Sequence, residues 1–321
     1  DSIFIERNGH MEKWDKKFES VERLSDVAQR IAAMSNRMVN EASPVADTRL
    51  SDGSRVSIVL PPVAINGPVI TIRKFYDTPL TIERLIELES ITAEAAEFLS
   101  RLVKSRYNIF ISGGTGSGKT TFLNVLSDYI PEDERLVTIE DSAELQLHNV
   151  SNLVRLEARM ANLEGCNAVG IRDLIKASLR MRPDRIVVGE VRGAEAIDML
   201  QAMNTGHDGS LSTGHANSPK DMMTRLETMV LMGMEMPVTA IRSQISSAID
   251  IVVHLARLRD KSRKVVQIAE VGDYIGGEVA LTPLYKFVET GQDKNGKVFG
   301  KLVRQENSLI RTEKLKAAGY M

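Results

Sequence analysis

One short string limits this chain more than any other: Gly113-Gly114-Thr115-Gly116-Ser117-Gly118-Lys119-Thr120. It follows an apolar run, Ile109 to Ser112, and leads through Thr121 into a stretch with helical spacing that ends near Tyr129. A strand that turns through glycines into a helix points several backbone N–H groups and the positive end of the helix at one place. Lysine then reaches the β- and γ-phosphates of a bound nucleotide, and the threonine hydroxyl completes a Mg²⁺ shell. The string predicts a phosphate loop on a mainly parallel sheet, with ATP and Mg²⁺ as ligands. Gly113, Gly114, Thr115, Gly116, Ser117, Gly118, Lys119, Thr120 and Thr121 are the candidate nucleotide contacts, and Thr120 is a candidate metal ligand.

Such a loop needs an acid at the end of another strand. Arg185-Ile186-Val187-Val188-Gly189-Glu190 supplies one, because three apolar residues run into Gly-Glu. Glu190 is therefore expected at the sheet's carboxyl edge, near the metal and its waters. A second acidic cluster, Glu140-Asp141-Ser142-Ala143-Glu144, follows the strand expected at Leu136 to Ile139. A carboxylate there is placed to polarise an attacking water, although a solvated turn has the same composition. A third polar strand end runs from Thr205 to Asn217, and His215 within it can bond a γ-phosphate or a metal-bound water. A lone histidine is as readily structural.

The surrounding chain divides into three stretches. Residues 1–76 are expected as a small α+β domain. It holds a strand at Ile3 to Ile5, a turn at Asn8-Gly9, a helix from about Val21 to Val39, and strands at Val56 to Leu60 and Val69 to Phe75. Its opening, without a starting methionine, suggests that a segment precedes it. Residues 77–92 are expected as a hinge linker. Residues 93–321 alternate strand and helix: helix at Ala93 to Lys104 despite a poor capping pattern at Thr92-x-x-Ala95, then helices near 171–180, 194–203, 219–232 and 237–248, and a strand near 209–213. That alternation predicts a parallel sheet covered by helices. After it, strands at 251–258, 265–271 and 279–287 read as antiparallel β.

Composition removes some functions. Lys and Arg total 41 against 43 Asp and Glu, and aromatic residues are 5% of the chain. This lacks the basic, aromatic surface of a nucleic-acid motor. The single cysteine, Cys166, makes neither an internal disulfide nor a cysteine-based metal site. No run reaches the roughly 20 apolar residues that span a bilayer, so a cytoplasmic location is expected. Met222, Met223, Met229, Met232, Met234 and Met236 cluster on or after one helix, where they serve either as packing or as an adaptable partner surface.

Taken in order, the loop, the acidic cluster, the Gly-Glu strand end and the segment to His215 resemble the type II/IV secretion ATPase superfamily. The strings Arg180 to Gly193 and Leu200 to Ser210 are similar to the CpaF/TadA-type ATPases of tight-adherence (Flp) pili. The resemblance implies a RecA-like core with a smaller N-terminal α+β domain and a C-terminal antiparallel β extension. It implies a hexameric ring that hydrolyses ATP beneath inner-membrane platform proteins of a pilus or secretion machine, with no specific nucleic acid as partner. It makes Glu144 the water-activating carboxylate, Glu190 its partner at the metal, and His215 the histidine-box residue. It also implies that Arg55 and Arg73 contact nucleotide phosphates, and Arg155 and Arg159 are further candidates. Gly214, where the superfamily more often has a bulky apolar residue, is expected to leave His215 loosely aimed. The paired Cys-x-x-Cys module of type II secretion ATPases is absent. A conjugation-type secretion ATPase shares all these boxes and stays open as the alternative, ahead of a RecA-like nucleic-acid motor or a non-catalytic scaffold.

Overall fold

A computed structural model describes residues 2–7, 10–74, 79–159, 168–294 and 296–321. The described elements are, in order, β1 (Ser2–Arg7), β2 (His10–Lys17), α1 (Val21–Met34), β3 (Val45–Arg49), β4 (Arg55–Val59), β5 (Val69–Arg73), α2 (Ile82–Glu87), α3 (Ala93–Lys104), β6 (Ile109–Gly113), α4 (Lys119–Ser127), β7 (Arg135–Glu140), β8 (Asn152–Glu157), α5 (Ile171–Ser178), β9 (Arg185–Val188), α6 (Ala196–Asn204), β10 (Leu211–His215), α7 (Pro219–Gly233), α8 (Val238–Ala248), β11 (Ile251–Arg257), β12 (Arg263–Ile275), β13 (Glu278–Gln292), β14 (Val298–Arg304) and α9 (Glu313–Ala317). The chain separates into two compact units, Asp1–Thr78 and Pro79–Met321.

In the first unit, β1 and β2 pair as an exposed antiparallel hairpin. The Ser20 hydroxyl starts α1 by accepting from the Arg23 N–H. Ala28 and Ala32 on α1 are fully buried against Val56, Ile58 and Leu60 of the antiparallel sheet β3-β4-β5 and its edge. The expected turn at Asn8-Gly9 lies outside the described residues. The hairpin partner β2 and the strand β3 carry mostly polar, exposed side chains, which hides them from apolar periodicity.

The second unit is organised by a nine-stranded sheet in the order β14-β13-β12-β11-β6-β10-β9-β7-β8. From β11 to β8 neighbours run parallel, and from β11 to β14 they run antiparallel. The C-terminal strands pair antiparallel with one another, as expected, and they are joined to the parallel sheet. β11 pairs parallel with β6, so the antiparallel strands continue the main sheet. β6 is buried along its whole length, as a central parallel strand must be. One apolar layer includes Leu99, Leu123, Ile109 and Val253, and the other includes Phe110, Val188, Leu226 and Ile245.

The stretch expected as a hinge carries α2 after residue 79, and its Leu85 and Ile91 are buried in the core of the second unit. Thr92 does cap α3, through an acceptor bond from the Ala95 N–H, although no return bond comes from Ala95. Met222, Met223 and Met229 are packed inside, while Met232 and Met234 face solvent.

Two buried polar clusters fix the amino ends of the strands. Arg185, with no exposed surface, donates to both carboxylate oxygens of Glu134 (2.5 and 3.0 Å) and to the Val103 carbonyl. Nearby, Asn108 bonds residues 203, 209, 210, 248 and 250, and Lys314 of α9 bonds Asp250 at 2.8 Å and Asp208 at 2.7 Å. The last helix is thus tied beneath the strand that carries the phosphate loop.

Candidate active site

The parallel strands bring their carboxyl ends to one edge of the sheet, where folds of this kind place ligands. β6 leads into the loop that the sequence predicted, and α4 begins at Lys119. Gly116 and Gly118 have φ of +70° and +94°, values that side chains rarely tolerate. Gly113 is required for space: a Cβ there would lie 2.5 Å from the Leu255 carbonyl oxygen and 2.6 Å from Ser117 Oγ. The Ser117 hydroxyl is buried without a hydrogen-bond partner among the described residues. Thr120 and Thr121 sit half-buried in the first turn of α4.

Lys119 is 7% exposed, and its Nζ lies 3.1 Å from the Gly114 carbonyl oxygen and 3.2 Å from His215 Nδ1. His215 is in register with Gly113 across β10 and β6. Its Nε2 is 2.7 Å from Glu190 Oε1. Arg192 donates to the other Glu190 oxygen through Nη2 at 2.5 Å and Nε at 2.8 Å, and its Nη1 is 3.5 Å from Asp141. Lys119, His215, Glu190 and Arg192 therefore form one continuous polar chain. Burial holds the His215 pKa below its ordinary value, with Glu190 opposing and Lys119 reinforcing that shift. A neutral ring, with Nδ1 accepting from the ammonium, fits the geometry.

Gly214 does not loosen His215. It lies within β10, and a Cβ on it would come within 3.0 Å of Met222 Cε and of the Phe110 ring. The glycine makes room for those side chains. Thr213, next to it, holds the Glu190 segment from the neighbouring strand. Its hydroxyl donates to the Gly189 carbonyl at 2.7 Å, and its own carbonyl accepts from the Val191 N–H at 2.9 Å.

The acidic cluster divides into a buried and an open part. Glu140 is buried, and one of its oxygens accepts from the Glu144 and Leu145 N–H groups at 2.8 and 3.0 Å. Its other oxygen has no hydrogen-bond partner among the described residues, and burial raises its pKa above the usual carboxylate range. Glu140 thus shapes the turn that carries the half-buried Glu144. Arg155, on β8, donates to the Leu145 carbonyl at 2.9 Å and braces the same turn. Arg159 is exposed just beyond β8 and pairs through its backbone with Val169. Cys166 lies outside the described residues.

In the first unit, Arg55 stands directly opposite Arg73 across β4 and β5, and Arg49 stands opposite Arg55 across β3 and β4. The row of three arginines adds Arg49, which sequence reasoning missed because its strand has no apolar alternation. The roles of Arg192, Thr213 and Glu140, which lie in stretches the sequence did single out, were missed for another reason. Each acts on a neighbouring segment through a contact that spacing does not encode. A concavity of about 470 Å³ is lined by residues that include Lys104, Asp128, Tyr129 and Tyr320. It lies at the amino ends of β6 and β7 and contains none of these groups.

Comparison with known proteins gives a consistent answer. Residues 1–300 match the profile of the T2SSE family, described as type II/IV secretion system protein. A putative conjugal transfer protein of Mycobacterium tuberculosis is 36% identical over 288 residues, covering 88% of this chain and 81% of that protein. The type IV secretion system protein PtlH of Bordetella pertussis is 33% identical over 294 residues, covering 83% and 86%. The VirB11 ATPase from the Brucella suis type IV secretion system superposes with a TM-score of 0.50 at 30% identity, covering 84% of this chain and 89% of that one. The pilus retraction motor PilT, at 18% identity and a TM-score of 0.57 over 98% of this chain and 81% of its own, shares the fold.

Proposed function

The chain belongs to the type II/IV secretion system protein family and is an ATPase of that family, and on this premise we propose that it works as a hexameric ring motor beneath a pilus or secretion platform in the cell membrane. The observation that carries the reading is the unbroken chain from Lys119 through His215 and Glu190 to Arg192, set at the mouth of the phosphate loop. In it a lysine, an imidazole and a carboxylate stand within 3.2 Å of one another in turn. A triphosphate offers Lys119 a stronger acceptor than a carbonyl and a neutral ring. With Lys119 on phosphate, His215 Nδ1 would be released, and Glu190 would be placed to hold the metal ion through its waters. Glu144, fixed through its backbone by Glu140, is the base that orients the attacking water.

Thr120 and Glu190 offer hard oxygen donors, which suit Mg²⁺ carried in on the nucleotide with few protein ligands. When bound, that ion neutralises charge on the phosphates. The arginine row of the first unit supports a further role: Arg73 and Arg55, in line with Arg49, stabilise phosphate charge. No described helix is long and apolar enough to cross a membrane.

The strings Arg180 to Gly193 and Leu200 to Ser210 favour a tight-adherence pilus as the machine. The relatives named for conjugal transfer and type IV secretion favour a second reading, a conjugation-type secretion ATPase. Phosphate release by the purified protein with ATP and Mg²⁺ tests the chemistry. Lys119→Ala is expected to abolish turnover, and wild-type rates in that variant would show that the site is misassigned. Solution mass with and without a non-hydrolysable ATP analogue tests the ring, which a monomer under both conditions rules out.

A further inference from the structure

The phosphate loop has two flanks. β10 borders β6 on one side and brings His215, and β11 borders it on the other. Sequence reasoning assigned nothing to the second flank. There β11 stays in register with β6 until Leu255 meets Gly113, then runs on to Arg257. The chain turns at Asp260 and Lys261 and returns as β12, which places Arg263 directly opposite Arg257. Both arginines are exposed.

Both also lie against the phosphate loop. Arg263 Nε donates to the Gly116 carbonyl at 2.9 Å, and its Cδ is 3.5 Å from where a Cβ on Gly118 would stand. Arg257 Nη1 is 3.8 Å from the corresponding point on Gly116. Like charges directly opposite across two strands cost stability. Among the described residues no carboxylate forms an ion pair with either one. The nearby acids are used elsewhere: Glu289 holds Arg259, and Asp260 accepts from Ser262 and the Val298 N–H. Two guanidinium groups are thus held at the lip of a loop that is itself built to surround an anion.

We propose that Arg257 and Arg263 bind the α-phosphate of the nucleotide. The inference rests on the phosphate-loop reading and follows from the sheet order. Glu190, His215 and the Glu144 turn all lie on the β10 side of β6, so the γ-phosphate is handled there. The triphosphate's inner end then falls on the β11 side, within reach of the paired arginines. Arg263 also steadies the loop through Gly116, whereas among the described residues the Arg257 side chain forms no hydrogen bond or ion pair that its removal would break.

Calorimetric titration of ADP and of a non-hydrolysable ATP analogue, with Mg²⁺, tests this on wild type, Arg257→Ala, Arg257→Lys and Lys119→Ala. A charge-assisted hydrogen bond predicts roughly tenfold weaker binding in Arg257→Ala. The loss should be equal for both nucleotides, because both carry the α-phosphate, and Arg257→Lys should recover part of it. Thermal melting of the unliganded Arg257→Ala protein should match wild type, which separates lost binding from lost folding. Unchanged affinity for both nucleotides overturns the proposal. A loss confined to the triphosphate analogue also overturns it, since the arginine would then face the γ-phosphate. If wild type itself binds neither nucleotide, the phosphate-loop reading fails, an outcome distinct from a wild-type-like Arg257→Ala.

Discussion

Replacing Thr213 with valine should loosen Glu190 while keeping nearly the same side-chain shape. The Thr213 hydroxyl donates to the Gly189 carbonyl at 2.7 Å, and both residues are buried. Glu190 stands between two anchored neighbours: Gly189, which also donates to the Ile139 carbonyl at 2.8 Å, and Val191, bonded to the Thr213 carbonyl at 2.9 Å. Valine removes one of these three bonds and leaves a buried carbonyl without its donor. Such a group costs about 1–3 kcal/mol, which in a unit of this size lowers the melting temperature by about 2–4 °C per kcal/mol. The same slack reaches the catalytic edge, where a displacement of ~1 Å can cost ~100-fold in rate. The assays are thermal melting and phosphate release, with Thr213→Ser as the control that restores the hydroxyl. A Thr213→Val protein that melts and turns over like wild type would refute the idea that this bond positions the carboxylate.

Arg185→Met should leave the buried Glu134 carboxylate with only its 3.1 Å bond from Arg106 and destabilise the second unit by about 1–3 kcal/mol, measured by urea unfolding; adding Glu134→Leu should recover part of that loss. Gly214→Ala should cost about 1–3 kcal/mol in the same assay, because the new methyl meets Phe110 and Met222 at 3.0 Å; equal or greater stability would return the glycine to a conformational role. His254 accepts or donates to Ser112 Oγ at 2.8 Å, bonds the backbone of Asn217, and faces Asp221 and Lys119. Burial holds its folded-state pKa below the ordinary 6.5. The folded protein then takes up fewer protons than the unfolded chain, so stability is full above that value and falls as pH drops from it toward the folded-state pKa. Urea unfolding from about pH 7.5 to about pH 5.5 should show a steeper loss in wild type than in His254→Gln, and parallel slopes would contradict the assignment.

The parts of the molecule legible in sequence are those fixed by local spacing. α3 runs from Ala93 to Lys104 as its periodicity requires, and the phosphate loop joins a buried strand to a helix because its glycines allow little else. β8 was hidden because it lies at the sheet edge with mixed exposure, and β14 because its exposed side chains include Lys301 and Arg304. At the site, Glu190, His215 and Lys119 were readable as residue types at strand ends. Their mutual contacts were not, since Lys119 and His215 are 96 positions apart. Gly214 shows the limit most clearly. Its lack of a side chain looked like freedom in one dimension and proved to be room for neighbours in three.

The bonds made by Asn108 bear on how such a chain is made. They tie the start of β6 to residues 203, 248 and 250, and Lys314 closes the same cluster from the far end of the sequence. Contacts of that separation form late, after the intervening loop has paid its closure entropy. A ribosome that has delivered the glycine loop but not yet β11 has therefore made a ligand-binding sequence without the strand that flanks it.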